Sequence, residues 1–211
     1  MRDLKEYEEA IICFNKAISL DSNNAETYFE KANLLHKVEK KEEAVVCYEK
    51  VISLNPGDTN AYYNKALTLG DLGRNEEAVG CFDKAISLVP DDARFYFEKG
   101  VALSVMGKNE ESLDYYDKTI SLDPNHARAY FNRGVVLFSM GKNSEATGCF
   151  EQVISLTPND ADAHFQKGNI LSEMGKKQEA IACYDKAICI DPNHAQAHHN
   201  KDLILNELEI K

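Results

Sequence analysis

Residues 25–58 read AETYFEKANLLHKVEKKEEAVVCYEKVISLNPGD, and this stretch decides the fold. Tyr28, Ala32 and Leu35 recur at steps of four and three, which marks one face of a helix. Ala44, Val45, Tyr48, Val51, Ile52 and Leu54 keep helical spacing along a second segment. Asn55-Pro56-Gly57 ends that segment, because proline cannot continue a helical ladder. The stretch predicts a helical hairpin. Outward from it, Pro56, Pro90, Pro124, Pro158 and Pro192 are evenly spaced, one hairpin length apart. Ala10, Ala44, Ala78, Ala146 and Ala180 keep the same beat, as do Phe14, Tyr48, Phe82, Tyr116, Phe150 and Tyr184. Such a period means one supersecondary unit copied along the chain, an all-α solenoid whose repeats pack on their neighbours.

Counting from the prolines predicts five full repeats: 25–58, 59–92, 93–126, 127–160 and 161–194. Residues 1–24 supply only a second helix, and 195–211 only a capping first helix. Gly73, Gly107, Gly141 and Gly175 fall where a left-handed helix cap wants glycine. Asn75, Asn109 and Asn143 are the expected N-caps of the second helices. Small residues at Ala32, Ala66, Gly100, Gly134 and Gly168 match Ala44, Ala78, Ser112, Ala146 and Ala180, so the paired helices approach closely.

Composition narrows the function. Hydrophobic residues make up 44% of the chain, enough for a folded protein. A net charge of -11 argues against nucleic acid, whose phosphates require clustered cations. No apolar run reaches the roughly 20 residues of a membrane span. Five of the six cysteines follow the repeat rather than pairing as CxxC, which predicts free thiols and a cytoplasmic setting. His194 and His198 lie four apart, with His164 one repeat earlier, but a zinc site needs three or four ligands. No catalytic constellation or phosphate loop is visible. No enzyme activity, metal or cofactor is predicted.

The repeat resembles the tetratricopeptide repeat family. Its signature positions 4, 8, 11, 20, 24, 27 and 32 are occupied, from Ala127 onward, by Tyr130, Gly134, Leu137, Ala146, Phe150, Val153 and Pro158. The usual tryptophan at position 4 is replaced by Tyr28, Tyr62, Tyr96, Tyr130, His164 and His198. The usual leucine at position 7 is replaced by Lys31, Lys65, Lys99, Arg133, Lys167 and Lys201. Their stems are expected to snorkel, with Glu49, Asp83, Asp117, Glu151 and Asp185 as ion-pair partners. The resemblance implies a right-handed superhelical array and a scaffold that binds a protein or peptide in a groove lined by its first helices.

Slots that vary between repeats are free to recognise a partner. Arg94, Phe97, Val101 and Val105 in one repeat, and Arg128, Phe131, Asn132, Val135 and Phe138 in the next, form the expected binding floor. The arginines suggest a ligand with an apolar anchor and an acidic group. The position-5 rings, Phe97 and Phe131 among them, also suit packing between helices. Asn64, Asn132, Gln166 and Asn200 offer amides to a peptide backbone. Ala10, Phe14 and Ala17 keep the packing pattern with no partner helix, which favours a homodimer through that face, or a partner helix. The alternatives are a structural array joined through that end, or a fragment of a larger multidomain protein.

Overall fold

The computed structural model describes residues 2–209, with side chains described over residues 6–208. It consists of two compact units that divide after Lys108. The described residues form twelve α-helices and no strand. The first unit holds α1 (Arg2–Leu20), α2 (Ala25–Lys37), α3 (Lys41–Leu54), α4 (Thr59–Asp71), α5 (Asn75–Leu88) and α6 (Ala93–Val105). The second holds α7 (Asn109–Leu122), α8 (Ala127–Ser139), α9 (Asn143–Leu156), α10 (Ala161–Glu173), α11 (Lys177–Ile190) and α12 (Ala195–Glu209).

The even-numbered helices start on side-chain caps. Asn24, Asp58 and Asp160 each accept a hydrogen bond from the backbone N–H three residues on, and Asp92 accepts from Arg94 two residues on. His126 and His194 do the same through Nδ1, which sets their tautomer. These helices end in a tight backbone turn. The N–H of Arg74 reaches Leu69 O, that of Lys142 reaches Leu137 O and that of Lys176 reaches Leu171 O, each at 2.9 Å. Such a turn needs a left-handed residue, and Gly73, Gly107, Gly141 and Gly175 supply it at φ of 72–76°. Glu39 takes that slot at φ 63°, and its carboxylate meets Lys41 Nζ at 2.8 Å.

That turn corrects one expectation. Asn75 and Asn143 are the first residues inside α5 and α9, not their caps. The cap positions belong to Arg74 and Lys142, whose side chains make no capping bond. One residue closes the earlier helix and opens the next, so the backbone alone makes the junction.

Within each hairpin the small slots sit at the point of closest approach. Ala32 and Ala44, and Ala66 and Ala78, are fully buried. A Cβ on Gly134 would lie 2.9 Å from the Phe150 ring, and one on Gly168 only 2.6 Å from the Tyr184 ring. The position-7 cations form the expected ion pairs. Lys65, Lys99, Arg133, Lys167 and Lys201 reach Glu49, Asp83, Asp117, Glu151 and Asp185 at 2.5–2.9 Å. Each links neighbouring helices of successive repeats, with a mostly sheltered cation and a half-exposed carboxylate.

Candidate partner-binding groove

In the first unit, α4 and α6 form the walls of a groove whose floor is the α5 side chains Ala78 and Phe82. The groove encloses about 220 Å³ and is lined by Leu67, Gly70, Asp71, Glu98, Val101 and Val105, among others. Val105 is 69% exposed, an unusual setting for a branched apolar side chain at a helix end. Val101 and Val105 thus line one cavity. Phe97 does not join them. It is 2% exposed and offers a partner no surface.

Arg94 also departs from its expected role. Asp92 holds it in a fork, Nε to Oδ1 at 3.0 Å and Nη2 to Oδ2 at 2.6 Å. Its guanidinium lies 5.5 Å from the Tyr63 ring centre and 5.6 Å from that of Phe95. Hydrogen bonding to Arg94 holds the Asp92 carboxyl below its ordinary range. This arginine is paired with the last residue of the preceding repeat.

In the second unit, Arg128 is exposed, and Val135 is 41% exposed. Phe131 and Asn132 are half-buried, Phe131 standing edge-on to Phe150 with ring centres 5.3 Å apart. Phe138 borders a separate cavity of about 400 Å³ with Asn169, Tyr184, Asn200, Leu203 and Glu207. The position-5 rings of α2, α4 and α10 likewise pack on α3, α5 and α11: Phe29 on Tyr48, Tyr63 on Phe82, Phe165 on Tyr184. Packing explains these rings.

One arrangement escaped the sequence reading. Asn33 Oδ1 accepts from the Tyr48 hydroxyl at 2.7 Å and from Asn64 Nδ2 at 3.2 Å. In the second unit Asn169 Oδ1 accepts from Tyr184 at 2.9 Å and from Asn200 Nδ2 at 2.9 Å. Two protein donors occupy each Oδ1, and the Asn169 amide in turn donates from Nδ2 to Gln166 Oε1 at 3.3 Å. Asn64 and Asn200 therefore serve first to fix another asparagine. Burial raises both phenols, which stay protonated as donors. The available signal was asparagine at position 9 in the repeats of Tyr48 and Tyr184, where Tyr116 is matched with Val101, Phe82 with Leu67 and Phe150 with Val135. Beside Asn64, His36 Nδ1 meets Thr68 Oγ1 at 3.0 Å, tying α2 to α4.

The histidines and cysteines have structural settings. His164 and His198 meet the carbonyls of Pro158 and Pro192 through Nε2, at 3.3 and 3.1 Å, as the Tyr96 hydroxyl meets Pro90 O at 2.9 Å. His194 packs at a tilt against Phe165, with ring centres 4.8 Å apart. Among the described residues, no three His, Cys, Asp or Glu side chains are grouped to hold a metal ion. All six cysteines are free thiols. Burial pushes the thiols of Cys47, Cys81, Cys149 and Cys183 up, away from the reactive thiolate.

At α1 the packing slots are open. Ala10 and Phe14 are half-buried and Ala17 is exposed, whereas Ala44, Tyr48 and Val51 in the matching slots of α3 are buried.

Hairpins that repeat this geometry match known sequence families. Tetratricopeptide repeat profiles match residues 25–58 and 161–194, and residues 47–80. A TPR repeat profile matches 1–38, 106–141 and 136–175. The chain belongs to the tetratricopeptide repeat family. Among solved structures it is similar to YrrB, described as a TPR protein with an unusual peptide-binding site. That similarity has 29% identity and a TM-score of 0.74, over 90% of this chain and 97% of YrrB. MamA from Desulfovibrio magneticus RS-1 shares the fold at 19% identity and a TM-score of 0.76, over 81% of this chain and 96% of that one. No curated protein matches the chain. Among the described residues, no helix of this tetratricopeptide repeat protein is long and apolar enough to cross a membrane.

Proposed function

We propose that the chain is a non-catalytic interaction scaffold that binds an extended segment of a partner protein on the first helices of its repeats. The observation that carries this reading is the apolar-floored groove of the first unit, where Val101 and Val105 stand beside Leu67 and Phe82. The described peptide-binding site of YrrB supports the same class of ligand. In the second unit, Arg128, Phe131, Asn132, Val135 and Phe138 form a candidate surface of their own. The partner is protein rather than nucleic acid on the ground of the -11 net charge. Six free thiols suit a reducing compartment, and we place the chain in the cytoplasm for that reason.

The test starts from a displayed library of random peptides selected on the wild-type chain. Val101→Glu puts a charge on the groove wall and should weaken the selected peptides about tenfold or more. Val46→Glu, at an exposed site on α3 that lines no part of the groove, should leave them unchanged. Equal loss in both variants, or in neither, removes the groove from the function.

A second reading is self-association through α1, favoured by its open slots at Phe14 and Ala17. Light scattering at high concentration should then show a dimer that Phe14→Glu converts to monomer. A monomeric wild type ends this reading.

A further inference from the structure

We infer that the cavity between α4 and α6 is a socket for one large apolar side chain of a partner segment, carried beside a lysine or arginine. The inference rests on the groove reading above and adds the chemistry of the ligand. Its starting point is Gly70, in the last turn of α4. The corresponding position of the other repeats holds His36, Ser104, Phe138, Ser172 and Asn206, and only here does it lack a side chain.

Gly134 and Gly168 have a packing reason, since a Cβ on either would strike the facing ring. Gly70 has none. A Cβ there would have nothing within 4 Å, and its φ lies outside the left-handed range. Glycine also weakens a helix through backbone entropy. What its absent side chain leaves is the space itself, about 220 Å³ lined by Leu67, Phe82, Val101 and Val105. That volume suits the side chain of a leucine, methionine or phenylalanine.

Charge selects the flanking residue. Asp71 and Glu98 are the ionisable groups in the lining. Asp71 is exposed and pairs with His36 at 3.6 Å and with Lys41 at 3.7 Å, but Lys41 is shared with Glu39 at 2.8 Å, so two carboxylates face one lysine. Glu26 and Glu30 are exposed on α2, in the slots matching Arg94 and Glu98 of α6. Arg94, the cation that argued for an acidic ligand, is already held by Asp92. The field around the socket is therefore negative, and it favours a basic neighbour to the apolar anchor.

Gly70→Phe tests the socket, because it fills the space from the protein's own backbone with the ring that Phe138 places in the matching slot. The full chain is used, with peptides of about twelve residues selected from a random displayed library and titrated at several salt concentrations. The selected peptides should share a large apolar residue beside Lys or Arg. They should lose about tenfold or more in affinity for Gly70→Phe and weaken as salt rises. Thermal melting of Gly70→Phe should be no lower than wild type, which separates blockage from unfolding. Peptides lost with Val101→Glu but unaffected by Gly70→Phe overturn the socket and leave the groove reading intact. Peptides indifferent to both substitutions overturn the two together. Selection of acidic rather than basic flanks overturns the charge assignment.

Discussion

Hairpins α4–α5 and α10–α11 share one backbone plan and differ in the few slots that face outward. Both place a small residue at the contact, Ala66 in one and Gly168 in the other, and both bury an aromatic beside it. In α10–α11 that aromatic is Tyr184, whose hydroxyl pins Asn169 and through it joins Asn200 of α12. In α4–α5 it is Phe82, facing Leu67, Gly70 and Val101 around a cavity. One hairpin closes its outer side with a hydrogen-bonded triad. The other leaves an apolar hole. Helix approach distance is therefore separable from surface chemistry, since different slots control the two.

The largest expected effect sharpens that separation at the two glycines. Gly168→Leu should destabilise the chain by about 3 kcal/mol, because even a Cβ there meets the Tyr184 ring at 2.6 Å. Gly70→Leu should change stability by no more than about 1 kcal/mol, and in the stabilising direction, since helix propensity rises and nothing is struck. Urea unfolding of the two variants gives the answer. Equal losses would mean that Gly70 is a packing residue after all.

A smaller effect is expected from exchanging the aromatics. Phe82→Tyr should lower stability by about 1–3 kcal/mol, because its hydroxyl finds Leu67 where Tyr184 finds an asparagine. Tyr184→Phe should lower it by about 1 kcal/mol, leaving Asn169 Oδ1 with Asn200 as donor. The double variant Phe82→Tyr with Leu67→Asn should recover part of the first loss. No recovery would show that the triad also depends on its third side chain, the one in the place of Asn200.

The smallest effect is a pH dependence. Burial raises the folded-state pKa of Cys47, Cys81, Cys149, Cys183, Tyr48 and Tyr184. The unfolded chain then ionises first, so it releases protons at lower pH than the folded chain. Stability from these groups is fully present below their unfolded values, about 8.5 for thiols and 10 for phenols, and falls as pH rises beyond them. Melting temperatures measured from pH 7 to 11 should decline, and Tyr184→Phe should flatten the upper part of the decline. A flat wild-type profile would contradict the burial of these groups.

Much of this was legible along the chain because it repeats. The left-handed glycines, the small contact slots and the ion pairs of position 7 recur in phase, and a residue's place in the period tells where it goes. Position in the period says less where a side chain's neighbour decides its role. Arg94 is forked by Asp92, two residues away, in a pairing that no repeating pattern sets. Phe97, whose spacing suits both groove floor and packing, is buried. Asn75 and Asn143 suit a cap by type, but the preceding turn shifts the helix start by one residue.

The amino-acid sequence by itself determined the helical hairpin, its period and its contact residues, because these follow from local spacing and from steric size at one position. Only the tertiary structure decided which polar groups are already matched and where an unfilled space remains. Both are properties of several helices at once: a hydrogen bond between repeats needs geometry, and a cavity is defined by the side chains around it rather than by the glycine that opens it.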